Sequence, residues 1–128
     1  QRLDINNEKR KKHLEMFLNR LDSTKYITNF ALEGSSNYAF TLILKNADIE
    51  LRDLVEKELR AYSVEFRRGL SGGGNQLRQP YLKKILPDLE YANYPNVEHV
   101  HFFGWYIGNY PNLDERKIIL LCELLNNI

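Results

Sequence analysis

The stretch NYAFTLIL, residues 37–44, constrains this chain more than any other. Tyr38, Phe40, Leu42 and Leu44 fall on one side and Ala39, Thr41 and Ile43 on the other. That period of two is the repeat of a β-strand. Both sides are largely apolar, so both need cover, and a central position in a sheet is predicted. The chain offers three weaker strands as neighbours. YITNFAL, residues 26–32, is short and alternating. VEF, residues 64–66, is brief. The aromatic FGWYIGN is predicted to end at Gly108 and Asn109. The EGSS between the first candidate and the main strand suits a turn.

Elsewhere the apolar period lengthens to that of a helix. Leu14, Phe17, Leu18 and Leu21 predict an amphipathic helix over about residues 6–21, capped by Asp4 or Asn6. Its basic run, residues 9–12, reads as a solvated face rather than a binding site. A second helix is predicted over 48–62, with Leu51, Leu54, Val55, Leu59 and Tyr62 as its apolar face, and a short helical piece near 80–86. PDLEYANYPN, residues 87–96, reads as a polar connection punctuated by proline. Asn112, with Glu115 three residues on, makes a capping box for a final helix whose buried stripe is Ile118, Leu121, Cys122 and Leu125. The sum is one α+β domain over residues 1–128: a small, mainly antiparallel sheet with helices packed on one face, an N-terminal linker helix and a C-terminal helix.

Composition narrows the function classes. A net charge of +1 gives no global field of the kind that marks a nucleic-acid binder. The single cysteine excludes an internal disulfide framework and fits a reducing compartment. The longest apolar run, residues 118–122, is far too short to span a membrane. With no secretory signal and no initial methionine, the chain is expected to be cytoplasmic and part of a longer protein.

One segment stands out chemically. Residues 66–84, FRRGLSGGGNQLRQPYLKK, carry five cations and no acid around a run of three glycines. Glycines allow backbone N–H groups to approach an anion, and an arginine fork grips phosphate or carboxylate with two bonds. A mobile surface connection is the alternative. His99 and His101, one residue apart, would share a face of a strand, but with no third ligand nearby they predict no metal site. Cys122 reads as a small core residue, and no serine–histidine or cysteine–histidine pairing predicts a catalytic residue. The aromatic residues sit at core spacings and predict no nucleic-acid partner.

Three stretches together resemble one family. LDINNEKRKKHLEMFLNRL resembles the helix leading into the small domain of fold-type I pyridoxal-phosphate (PLP) enzymes acting on nucleotide sugars, the sugar aminotransferases and 3-dehydratases of deoxysugar biosynthesis. VEFRRGLSGGGNQLRQPYL resembles the family segment with an arginine, a Gly-Asn pair and Gln-Pro before tyrosine, here Arg67, Gly74-Asn75 and Gln79-Pro80-Tyr81. FGWYIGNYP resembles the G-F-Y-I-G-N-H-P stretch of the dehydratase-like branch, with Tyr110 where that branch carries histidine. The resemblance implies a C-terminal domain, inactive alone, that closes an active site built on a large N-terminal domain. That large domain would hold pyridoxal or pyridoxamine phosphate (PMP) and its Schiff-base lysine, or the histidine that replaces it. It further implies a homodimer working on a nucleotide-linked 4-keto-hexose in deoxysugar or lipopolysaccharide biosynthesis. Arg67 and Arg68 would face phosphates, and Asn75, Tyr106 and Asn109 sugar hydroxyls. Tyr106 as a packed sheet residue and Asn109 as a left-handed turn residue are the bland readings. Two other functions stay open: a binding module for a phosphorylated or acidic partner, and a structural dimerisation domain.

Overall fold

A computed structural model of the chain describes residues 1–69 and 74–128. Among these residues five α-helices and three strands follow in the order α1 (Arg2–Arg20), β1 (Ala39–Ile43), α2 (Ile49–Ala61), β2 (Phe66–Arg68), α3 (Pro80–Ile85), α4 (Pro95–Phe103), β3 (Gly104–Gly108) and α5 (Glu115–Asn126). Short 3-10 turns at Gln76–Arg78 and Tyr91–Asn93 precede α3 and α4.

The sheet runs β1-β3-β2, and β3 is antiparallel to both neighbours. β1 and β2 are therefore parallel to each other, joined by α2 and split by the strand that comes last in sequence. This corrects the expectation that β1 is central. Its far edge is covered without a full strand: Ile27 N–H donates to Ile43 O at 2.9 Å, Lys45 N–H donates to Lys25 O at 2.8 Å, and Tyr26 bridges Leu44. Residues 26–32 supply that one bridge and no strand. The residues after Glu33 turn through Gly34, which sits at φ +72°, a conformation glycine adopts without a Cβ clash.

Period-two alternation then sorts the sheet's faces. Phe40 and Leu42 of β1 lie opposite Ile107 and Trp105 of β3, and all four are buried with Leu14, Phe17 and Leu18 of α1, Val55 and Leu59 of α2, and Ile118, Cys122 and Leu125 of α5. Each such Leu or Phe stabilises the fold by roughly 1.5–3 kcal/mol through the apolar area it removes from water. The predicted stripes of α1 and α5 are buried throughout. On α2 the stripe is narrower than predicted, because Leu54 and Tyr62 face outward.

Other boundaries moved. α1 starts four residues early with Gln1 as its cap. α5 is capped by Asp114, whose carboxylate accepts from Arg116 N–H, and not by Asn112. The stretch holding His99 and His101, read at strand spacing, is instead α4, which opens on Pro95 in the first turn, where the missing N–H costs nothing. α4 runs into β3 with no connecting residue, at Gly104. No helix among the described residues is long and apolar enough to cross a membrane.

Candidate functional site

The face of the sheet away from α1, α2 and α5 carries Ala39, Thr41 and Ile43 of β1, Gly104, Tyr106 and Gly108 of β3, and Arg67 of β2. Thr41 and Arg67 both pair in register with Tyr106. A row of hydroxyl, phenol and guanidinium thus crosses all three strands. The glycines two residues either side of Tyr106 play opposite parts. At Gly108 a Cβ would meet nothing within 4 Å, so the surface stays open. At Gly104, which caps α4 by donating to Val100 O, a Cβ would lie 2.7 Å from that oxygen, so glycine lets β3 leave the helix without a connecting residue.

Two depressions flank Tyr106. One, of about 700 Å³, is bordered by Tyr38, Arg67, Glu65, Arg60 and Gly108. The other, of about 360 Å³, is bordered by Thr41, Ile43, Gly74, Val97 and Val100. Tyr38 is 67% exposed and stands edge-on to Tyr106, ring centres 6.3 Å apart. Arg67 is exposed, and among the described residues no carboxylate lies within ion-pair distance of it. The guanidiniums of Arg67 and Arg60, with the hydroxyls of Tyr38, Tyr106 and Thr41, suit an anion carrying hydrogen-bonding groups, and the Glu65 carboxylate at the rim offers an acceptor. A larger groove of about 820 Å³ lies between α2 and α5, lined mainly by Leu54, Tyr62, Leu120, Leu121, Leu124 and Ile128. It has apolar walls but no arginine, and so lacks the chemistry of the sheet face.

The other three sequence candidates are committed inside the domain. Arg68 points to the core side, where its Nε pairs with Glu56 and its Nη1 donates to Phe102 O at 3.4 Å. Glu56 also accepts from Trp105 Nε1 at 3.0 Å and from Arg60 at 2.8 Å. Burial would raise its carboxyl, but the bonds from Trp105, Arg68 and Arg60 outweigh burial and hold it below the ordinary value. Asn75 is 3% exposed; its Oδ1 accepts from Leu77 N–H and its Nδ2 donates to Glu98 at 2.8 Å. Asn109 is 1% exposed, and its amide donates to Arg10 O and Asn37 O at 2.9 and 3.0 Å while its Oδ1 meets His13 Nδ1 at 3.2 Å. It ties α1 to the end of β3, with φ outside the left-handed region.

The glycine segment divides. Leu70, Ser71, Gly72 and Gly73 lie outside the described residues. Gly69 and Gly74 approach each other and His101: a Cβ on Gly74 would fall on the imidazole Nδ1 and stand 2.6 Å from Gly69 O. The two histidines lie on α4 rather than on a strand. His99 Nε2 meets Leu44 O at 2.6 Å, and His101 Nδ1 accepts from Asn75 N–H at 3.1 Å. No group of three metal-ligating side chains occurs among the described residues. Cys122 is buried, and burial pushes its thiol up to about 12, so it carries no thiolate at neutral pH.

Glu56, Glu98 and His13 were missed by the sequence reading. One signal for Glu56 was present: an acid between Val55 and Leu59, within the apolar stripe of α2.

No family model matches the chain, and no curated protein sequence matches it. Solved structures do. GDP-4-keto-6-deoxymannose-3-dehydratase with a trapped PLP-glutamate geminal diamine superposes with a TM-score of 0.81 at 24% identity, over 96% of this chain and 32% of the other. The E. coli GDP-4-keto-6-deoxy-D-mannose-3-dehydratase with bound hydrated PLP gives 0.81 and 24%, over 96% and 31%. A Streptococcus pneumoniae protein assigned as a sugar aminotransferase, in its PMP form, gives 0.75 and 13%, over 95% and 30%. The chain thus spans about a third of the length of the solved structures it matches. These likenesses establish the fold, and they fall on the enzymes whose motifs the sequence resembles.

Proposed function

We propose that this chain is the C-terminal small domain of a PLP- or PMP-dependent enzyme acting on a nucleotide-linked 4-keto-hexose in deoxysugar or lipopolysaccharide biosynthesis. The open sheet face around Tyr106 closes over the substrate. One observation carries this reading: nearly the whole chain superposes on about a third of a 3-dehydratase whose structures include one with bound GDP-perosamine. The dehydratase branch is favoured over the aminotransferase branch by the FGWYIGNYP stretch and by the higher identity and TM-score. The rest of the enzyme would be a large N-terminal domain, and the whole a cytoplasmic homodimer.

The residues here do not form the cofactor's covalent seat. A lysine that condenses with a carbonyl is activated by desolvation, and every lysine of this chain is exposed or half-buried. PLP supplies electron-sink chemistry when bound to its own domain. This chain supplies contacts. Arg67 offers a bidentate fork to a phosphate, Tyr106 and Thr41 offer hydroxyls to the sugar, and Tyr38 and Val97 wall the depressions against water. Arg68, Asn75 and Asn109 act behind them, fixing β2, the turn before α3 and the end of β3.

In the full-length protein, Arg67→Ala is expected to weaken nucleotide-sugar binding about tenfold to a hundredfold, the loss of a charge-assisted bond of roughly 1.5–3 kcal/mol. Arg67→Lys should recover only part of it, since a point charge lacks the fork. Wild-type affinity in Arg67→Ala, measured by calorimetry, would remove Arg67 from the site. The domain assignment has a separate check: the reading frame upstream of Gln1 should encode roughly 250 residues of strand-and-helix sequence, more than one ordinary domain.

A further inference from the structure

His101 stands where three backbone segments meet, and the proposed substrate site makes no use of it. Gly69, at φ +65°, ends β2 against His101 O, to which a Cβ would come within 2.9 Å. Gly74 packs on the imidazole Nδ1 and on Gly69 O. Asn75 N–H donates to the same Nδ1 at 3.1 Å. A backbone N–H can only donate, so Nδ1 must carry the lone pair and the ring proton must be on Nε2. The ring edge is buttressed by Phe102, 4.7 Å between centres at 83°.

The surrounding charges leave little room for a second proton. Arg78, from the turn after Asn75, and Arg68, from β2, face the imidazole on the cationic side; Glu98, on α4, faces it on the anionic side. Glu98 is already engaged by Arg78 Nε at 2.9 Å and by Asn75 Nδ2 at 2.8 Å. Arg68 is paired with Glu56, and His99, the nearest other imidazole on α4, is turned to Leu44 O. Arg78 is further held over the rings of Tyr91 and Phe102, at 4.1 and 4.7 Å.

We propose that His101 is a proton-sensitive clasp: while neutral it fastens Asn75, and Gly74 before it, to the C-terminal turn of α4, and a proton on Nδ1 unfastens them. Protonation sets two donors face to face and loses the Asn75 bond. It also places a third cation beside Arg68 and Arg78, whose carboxylates, Glu56 and Glu98, are already engaged. Burial first, then Arg78, lowers the imidazole below the usual histidine value; Glu98 opposes this and Arg68 adds to it. The clasp is therefore complete above pH 6.5 and opens as the pH falls through the folded-state value.

The test is a nitrogen-15 NMR titration of the histidine rings and backbone amides between pH 8 and pH 4.5. Three results are expected. His101 at neutral pH is the Nε2–H tautomer. The Gly74 and Asn75 amides shift with the same midpoint as its ring, below 6.5. Asn75 loses roughly tenfold of its exchange protection across that midpoint, the loss of about one hydrogen bond. In His101→Gln, which cannot titrate, the step at Asn75 should vanish. An Nδ1–H tautomer, or amides of Gly74 and Asn75 that ignore the ring's titration, would overturn the clasp even if the variant fails to fold. Neither measurement involves a nucleotide sugar, so the clasp and the substrate-site reading fail independently.

Discussion

Arg67 and Arg68 are neighbours in sequence and opposites in the fold. A strand sends successive side chains to opposite faces, so the pair divides: Arg67 goes to the open face and Arg68 to Glu56 beneath it. The expectation that both serve an anion assumed that both face it. Truncating each should therefore separate binding from stability. Arg68→Ala leaves a nearly buried carboxylate with only Trp105 and Arg60, and is expected to destabilise by about 1–3 kcal/mol. Arg67→Ala should stay within about 0.5 kcal/mol of wild type, as surface changes do. Urea midpoints of the two variants check this. Equal stabilities would mean that Glu56 is satisfied without Arg68.

At the scale of elements, caps decide where helices begin. Asn112 and Glu115 match a capping box in sequence, yet the carboxylate that caps α5, by accepting from Arg116 N–H, belongs to Asp114. The local pattern was right in kind and two residues out. Asp114→Ala should cost roughly 0.5–2 kcal/mol, and Asn112→Ala should be nearly neutral. Thermal melts of the pair discriminate, and the reverse order would restore the capping box. α4 shows a deeper difficulty. NVEHVHFF is rich in β-branched and aromatic residues, and its two histidines alternate as strand residues do. What makes it helical is tertiary: His99 reaches Leu44 O and Phe103 enters the core. Propensity is a weak prior beside such contacts.

For the whole molecule, two carboxylates join distant parts of the chain. Glu56 links α2 to β2 and β3, and Glu98 links α4 to Arg78 and Asn75. Both titrate below the ordinary 4.5: burial opposes the lowering at each, Trp105, Arg68 and Arg60 impose it at Glu56, and Arg78 and Asn75 impose it at Glu98. A carboxyl depressed by folding contributes stability that is fully present above its unfolded value and is lost as pH falls through the folded value. The unfolding free energy should thus drop steadily below about pH 4.5. Glu56→Gln should be less stable at pH 7 and less sensitive to acid. Denaturant titrations across pH 7 to pH 3 measure both, and a parallel pH profile in the variant would show that Glu56 contributes nothing to acid unfolding.

The sequence alone determined those features that depend on periods within one segment. The buried stripes of α1 and α5, the extent of α2, the alternation of β1 and the end of β3 at Gly108 all follow from spacing of 3.6 or 2 residues, because one element meets one core. The two arginines and Tyr106 were visible as chemistry, and the α+β class as a sum of elements. Only the tertiary structure decided what depends on partners far along the chain. β3 became central because β1 and β2 both pair with it. Arg68 and Asn75 turned inward because Glu56 and Glu98 wait there, and Asn109 because His13 and the carbonyls of Arg10 and Asn37 converge on it. Those partners lie 12 to 99 residues away. No local pattern encodes such a meeting, since a buried polar group chooses its bond only after packing has removed water from it.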